Sequence, residues 1–266
     1  MHGSGITLIF SPDDRALAEG KPATPTKGGG MPDTGITAIK RPPMTSLRKT
    51  SLVAGGFYLL TFVSIPTLAL YASVRGPNFI VGSGPDTPVI LGAFLEMVVA
   101  LAGIGTAVAL YPVVKRQGEA RALGFVSSRI LEAATIYAGI VSLLSIVTLR
   151  QADAGAVALV TGHALAAQYS WTFFFGQSFF AAVNAVLLGS LLYQSRLVPR
   201  VLPMLGFIGA VLLITSWTAT LFGIFGPGQV SPLAALAALP IALWEFSLGI
   251  YLVVKGFKPS PITAGM

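Results

Sequence analysis

Six apolar stretches, each long enough to cross a lipid bilayer, decide what this chain can fold into. They run roughly from Ser51 to Val74, Thr87 to Val114, Ala122 to Leu149, Trp171 to Tyr193, Val201 to Phe225 and Leu233 to Val254. At a helical rise of about 1.5 Å per residue, about 20 residues cover a hydrocarbon core near 30 Å thick. Composition agrees: 54% of the 266 residues are hydrophobic and 10% charged, where an ordinary soluble domain carries about 25% charge. The expected class is all-α, a polytopic membrane protein of six transmembrane helices, placed as a multi-pass protein in a bacterial inner membrane.

Turn chemistry separates the stretches, at Arg75-Gly76-Pro77-Asn78, Gln117-Gly118, Leu197-Val198-Pro199-Arg200 and Gly226-Pro227-Gly228. Only the connection from Arg150 to Ser170 is long, and its run from Ala154 to Ala167 predicts a short helix lying along the membrane surface. Basic residues set the orientation. Lys40, Arg41, Arg48 and Lys49 precede the first stretch, and Lys115, Arg116 and Arg121 lie between the second and third. Arg196 and Arg200 separate the fourth from the fifth, and Lys255 and Lys258 follow the sixth. The alternate connections hold only Arg75 and Arg150. Eleven against two is a positive-inside pattern that predicts cytoplasmic N and C termini. It also assigns the net charge of +7 to contact with anionic lipid headgroups, with no nucleic-acid partner required.

Residues 1–45 form a Gly/Pro-rich segment too poor in apolar surface to offset its ordering entropy, and are expected to be a flexible tail. Its patch Ile6-Thr7-Leu8-Ile9-Phe10 is the one candidate for docking a protein partner, and Met44 is a candidate alternative start. No secretory signal is evident. Residues 46–256 then form the transmembrane domain, and 257–266 a short cytoplasmic tail.

Several chemistries lack their residues. There is no cysteine, hence no disulfide, thiolate metal site or iron–sulfur cluster. No lysine lies within a stretch, and the only histidines are His2 and His163, which leaves no pair of membrane-embedded haem ligands. Phosphate-loop, H-E-x-x-H and G-x-S-x-G motifs are missing. No catalytic residue, metal or cofactor is predicted, and an enzyme is not expected.

Ionisable residues inside the stretches are few: Glu96 in the second, Arg129 and Glu132 in the third, and Glu245 in the sixth. A charge near a helix centre costs about 2.5–3.5 kcal/mol on insertion scales, so these side chains must face the protein interior and find partners. Arg129 and Glu132, three residues apart, share a helix face and predict an ion pair. Counting from the loops places Glu132 and Glu245 near mid-membrane and Glu96 nearer the outer surface. Gln177 and Asn184 in the fourth stretch, with Ser216, Thr218 and Thr220 in the fifth, would extend the polar set. Three carboxylates against one guanidinium leave two negative charges in excess if all are ionised. Either a proton or cation makes up the difference, or the set is a hydrogen-bonded network that fixes helix register.

Two further patterns stand out. Leu95-Glu96 followed by Ala102-Gly103-Ile104 has the same spacing as Leu131-Glu132 followed by Ala138-Gly139-Ile140. Seven residues is two helical turns, so each Glu shares a face with a Gly that admits a close neighbour. Tyr169 and Trp171 stand where an interface belt is expected. Trp217 and Trp244 lie deeper, and either pack in the core or line a pocket for an apolar ligand.

From Ser46 to Gly256 the chain resembles the bacterial membrane protein family catalogued as domain-of-unknown-function family 4386. The resemblance rests on Ser46-Leu47-Arg48-Lys49-Thr50, Tyr58-Leu59-Leu60, Arg75-Gly76-Pro77 and Gly124-Phe125, with Arg129-Ile130-Leu131-Glu132-Ala133 the most specific part. Ser195-Arg196-Leu197-Val198-Pro199-Arg200, Trp244-Glu245-Phe246 and Val254-Lys255-Gly256 complete it. It implies the fold, the membrane location and a place for the Arg129/Glu132 pair in the family pattern.

Three functions remain open. One is a small-solute or proton-coupled carrier, or a ligand-binding bundle, built on Glu96, Arg129, Glu132 and Glu245. Against it, Pro66 and Pro240 are the interior prolines and no stretch shows a clear central break of the kind carriers use. The others are an accessory or scaffold subunit of a larger membrane complex, and a membrane-embedded enzyme acting on lipid.

Overall fold

The computed structural model describes residues 44–76, 78–224 and 232–265. The tail with its Ile6–Phe10 patch, Pro77 and the Gly226-Pro227-Gly228 turn lie outside them. Among the described residues there are no strands, and six helical segments are long and apolar enough to cross a membrane.

Helices α1 (Ser46–Leu60) and α2 (Thr67–Leu70), joined by a 3-10 turn at Thr61–Ser64, form the first span. The second and third spans are α3 (Thr87–Val114) and α4 (Glu119–Gln151). The fourth contains α5 (Leu159–Phe174), a π-helical stretch Phe175–Phe180 and α6 (Ala181–Ser195). The last two are α7 (Val201–Leu221) and α8 (Pro232–Val254). Each span packs on its neighbours in sequence, and α8 returns to α1, so the six close into a ring. Short connections favour such an up-and-down arrangement.

Hydrogen bonds fix which ends lie together. Arg48 of α1 donates to the carbonyls of Leu252 and Val253 at 3.1 and 2.6 Å, bringing the start of the first span to the end of the last. The turns from α3 to α4 and from α6 to α7 lie at this end too, where Arg121 donates to Gln194 at 2.9 Å. The residues after α8, expected to be a simple tail, fold back onto these turns. Gly256, with φ +74°, turns the chain as a left-handed cap residue, a conformation that glycine adopts without steric cost. Lys258 N–H then donates to Leu197 O at 2.8 Å and Ser260 Oγ to Ser195 O at 2.6 Å.

At the opposite end Arg150 pairs with Asp86 at 3.0 Å and lies over the Phe79 ring, 4.7 Å from its centroid. Arg75 lies over the Tyr169 ring at 5.3 Å. The two arginines that stand against the charge count are therefore held by partners within the protein.

Two spans depart from the straight rods of the sequence prediction. In the first, Pro66 has no N–H to donate to Phe62 O, so Ile65 N–H closes a tighter bond to that carbonyl at 3.2 Å. Hydroxyls of Thr61, Ser64 and Thr67 donate to the carbonyls three residues earlier, at 2.7, 3.1 and 2.7 Å. Side chains thus take over backbone acceptors where the α-helix lapses. In the fourth, the run from Ala154 to Ala167 is not a separate surface helix. It belongs to a helical segment of 41 residues, Gly155–Ser195, because no proline interrupts it.

The bundle is filled unevenly. A large apolar cluster including Tyr58, Leu110, Phe125, Leu188, Leu191, Trp244 and Leu248 packs the half nearer the start of α1 and the end of α8. Smaller clusters gather around Tyr71, Phe79, Leu143 and Tyr169, and between α3 and α4 at Val99, Ala133 and Ile140. Outward faces carry exposed Phe94, Leu101, Val108, Val141, Val211 and Leu243. These belong against lipid, which accounts for the excess of apolar residues.

Candidate functional site

Arg129 is buried in the first half of α4 and bridges two carboxylates. Its Nη1 donates to Glu132 Oε2 at 2.9 Å and its Nη2 to Glu245 Oε1 at 2.6 Å. The first pair is the one-turn contact that the spacing predicts. The second joins α4 to α8 across the ring. A planar guanidinium presents its two terminal nitrogens as a fork, which suits one group serving two acids. The cation also lies over the rings of Tyr58 and Phe125, 5.5 and 5.7 Å from their centroids. Asn184 Nδ2 donates to Glu132 Oε2 at 2.7 Å, bringing α6 into the set.

Beside this cluster lies a cavity of about 670 Å³. All six spans contribute to its wall, and Arg129, Glu132 and Glu245 form its floor. It runs from them toward the end of the bundle that carries Arg75. Apolar and aromatic side chains dominate the wall, among them Phe62, Ile136, Phe173, Phe174 and Trp217. Trp217 stacks on Phe174 with ring centroids 5.8 Å apart and meets Phe179 at 5.2 Å. Both irregular helical stretches line the space, the 3-10 turn through Thr61, Phe62 and Ser64 and the π-helical stretch through Gln177 and Ser178. Such stretches recur at functional sites because they re-aim side chains and free backbone groups.

Glu96 stands apart from the other acids. It is buried, and Tyr169 Oη donates to its Oε1 at 2.8 Å. The Tyr71 ring meets Tyr169 edge-on at 5.3 Å, with Arg75 on a face of the same tyrosine. Tyr169 is thus no interface anchor but the buried partner of Glu96, and it also lines the cavity. Trp171 is 41% exposed, as an anchoring residue would be.

Of the residues singled out in the sequence, Arg129, Glu132, Glu245 and Asn184 meet in one cluster, and Gln177 joins the cavity wall. Glu96 does not reach them. Trp244 is fully buried but forms no part of the wall, because its indole packs against Gly206, where an added Cβ would lie 2.8 Å from the ring. Ser216 and Trp217 reach the cavity, whereas Thr218 bonds back to Ile214 O. The repeated Glu-to-Gly spacing places its members in unlike surroundings. A Cβ on Gly139 would press on Thr172 of α5, while one on Gly103 would meet Arg129 at an ordinary 3.9 Å. Sequence reasoning missed Tyr58, Tyr169, Thr61, Ser64 and the place of Arg75 in the site. Only Tyr58 and Arg75 carried a signal, as parts of the family-like motifs.

Comparison with curated proteins and with solved structures finds no match. A family model described as Domain of unknown function (DUF4386) matches residues 53–256, and the chain belongs to that family.

Proposed function

We propose that this membrane protein is a small-solute carrier whose binding site is the cavity above the Arg129, Glu132 and Glu245 cluster, with proton or cation coupling at those acids. The observation that carries this reading is the cavity floor. A network serving only to fix helix register would be walled in by packed side chains, whereas here two carboxylates and their shared arginine border about 670 Å³ of open space. Transporter sites are typically built near mid-membrane beside irregular helices, and both features meet here. The cluster holds two acids and one base, so entry of a proton or cationic group neutralises it. With the chain ends cytoplasmic, as the basic residues favour, the cavity would face the outer side of the membrane.

The test is uptake into proteoliposomes, read both as internal acidification and as accumulation from a pool of small labelled solutes. Wild-type protein should give a signal that Glu245→Gln abolishes. No signal from wild-type protein, or one that Glu245→Gln leaves intact, would sink the proposal.

A further inference from the structure

We infer that the ligand of this cavity is an amphipathic organic monocation, a protonated amine on an apolar, preferably aromatic, body; this rests on the cavity being a binding site. The floor decides the head group. Both terminal nitrogens of Arg129 are engaged, its Nε–H has no partner but is buried, and the residue is only 3% exposed, so it presents little donor surface to an incoming anion. The carboxylates are only half used. Glu132 Oε2 accepts from both Arg129 and Asn184, and Glu245 Oε1 accepts from Arg129. Among the described residues no hydrogen bond reaches Glu132 Oε1 or Glu245 Oε2. Glu132 is itself more than nine-tenths buried, and both acids border the cavity. Two donors at the site, Arg129 Nε–H and Trp217 Nε1–H, also lack partners but are themselves buried; the capacity open to a ligand is acceptor capacity on charged oxygens, which selects a donor with positive charge.

The wall decides the body. Phe62, Phe173, Phe174 and Trp217 offer ring surfaces and Ile136, Leu213 and Ile241 offer aliphatic ones, a wall that rewards an apolar body, which an inorganic cation lacks. Aromatic faces also attract an organic cation on its way to the floor. Arg75 at the far end of the cavity disfavours lodging of the charged head there, so the ligand is oriented with its amine inward.

Isothermal titration of the full chain in phosphatidylcholine nanodiscs at pH 7, with heats from empty discs subtracted, tests this with three matched probes. They are 4-phenylbutylamine, 4-phenylbutan-1-ol and 4-phenylbutyrate, which share one body and differ in the charge of the head. The amine should bind at least roughly tenfold tighter than either analogue. Glu245→Gln should remove that advantage. Preference for the carboxylate, or equal binding of all three, overturns the inference and leaves the cavity as a binding site. Binding of none overturns both. The wild-type comparison stands on its own if the variant folds poorly.

Discussion

Arg129 and Glu245, 116 residues apart in the chain, meet at 2.6 Å across the ring of helices. This is the contact that closes the polar floor, because Glu132 would hold Arg129 on its own helix without any help from α8. Removing the shared cation leaves two acids, Glu132 buried and Glu245 partly buried, without their common partner. Arg129→Ala should therefore cost on the order of 3–5 kcal/mol, seen as a large fall in the thermal midpoint in detergent. Arg129→Lys should recover only part of it, since one ammonium does not reproduce the fork. An unchanged midpoint for Arg129→Ala would show that the cluster holds nothing together.

Asn184 is fully buried and gives one of the two hydrogen bonds to Glu132 Oε2. Asn184→Leu keeps the volume and deletes the donor. The expected loss is about 1–3 kcal/mol, the desolvation cost of an acceptor left without its partner. Thermal unfolding beside wild-type protein checks it, and a gain in stability would contradict the assigned bond.

Gly55 and Gly56 are neighbours with opposite surroundings. A Cβ on Gly55 would sit 2.7 Å from Gly249 O on α8, with Val253 and Leu252 as close, whereas one on Gly56 meets nothing within 4 Å. Gly55→Ala should force α1 from α8 and destabilise by about 1–3 kcal/mol. Gly56→Ala should be neutral or stabilising by up to ~1 kcal/mol through helix propensity. Equal midpoints for the two variants would mean that this seam is not closely packed.

Pro66 interrupts the first span beside the cavity. Pro66→Ala restores an N–H that can reach Phe62 O, letting α1 run on through Thr61–Ser64. The variant should unfold at a higher temperature, since proline in a helix interior is about 3 kcal/mol less favourable than alanine. Uptake should fall with it, because Thr61, Phe62 and Ser64 would turn away from the cavity. A variant that is both more stable and fully active would show that the irregular turn has no part in the site.

Six apolar runs and their lengths determined, without any coordinates, that this chain is an all-helical multi-pass membrane protein. Local spacing likewise determined the Arg129–Glu132 pair, because residues three apart on a helix meet whatever else the chain does. Only the tertiary structure decided that Glu245 joins that pair while Glu96 turns to Tyr169, that Trp244 packs in the core while Trp217 walls a cavity, and that Gly55 is a contact while Gly56 is not. The physical reason is rotation and depth. In lipid both faces of a span are apolar, so hydropathy carries no amphipathic stripe to tell inside from outside. A helix's angle about its own axis is then set by contacts with neighbours far away in sequence. The cluster foreseen from four buried charges thus became a three-membered floor shared by α4 and α8, with the fourth charge held by a tyrosine of the fourth span.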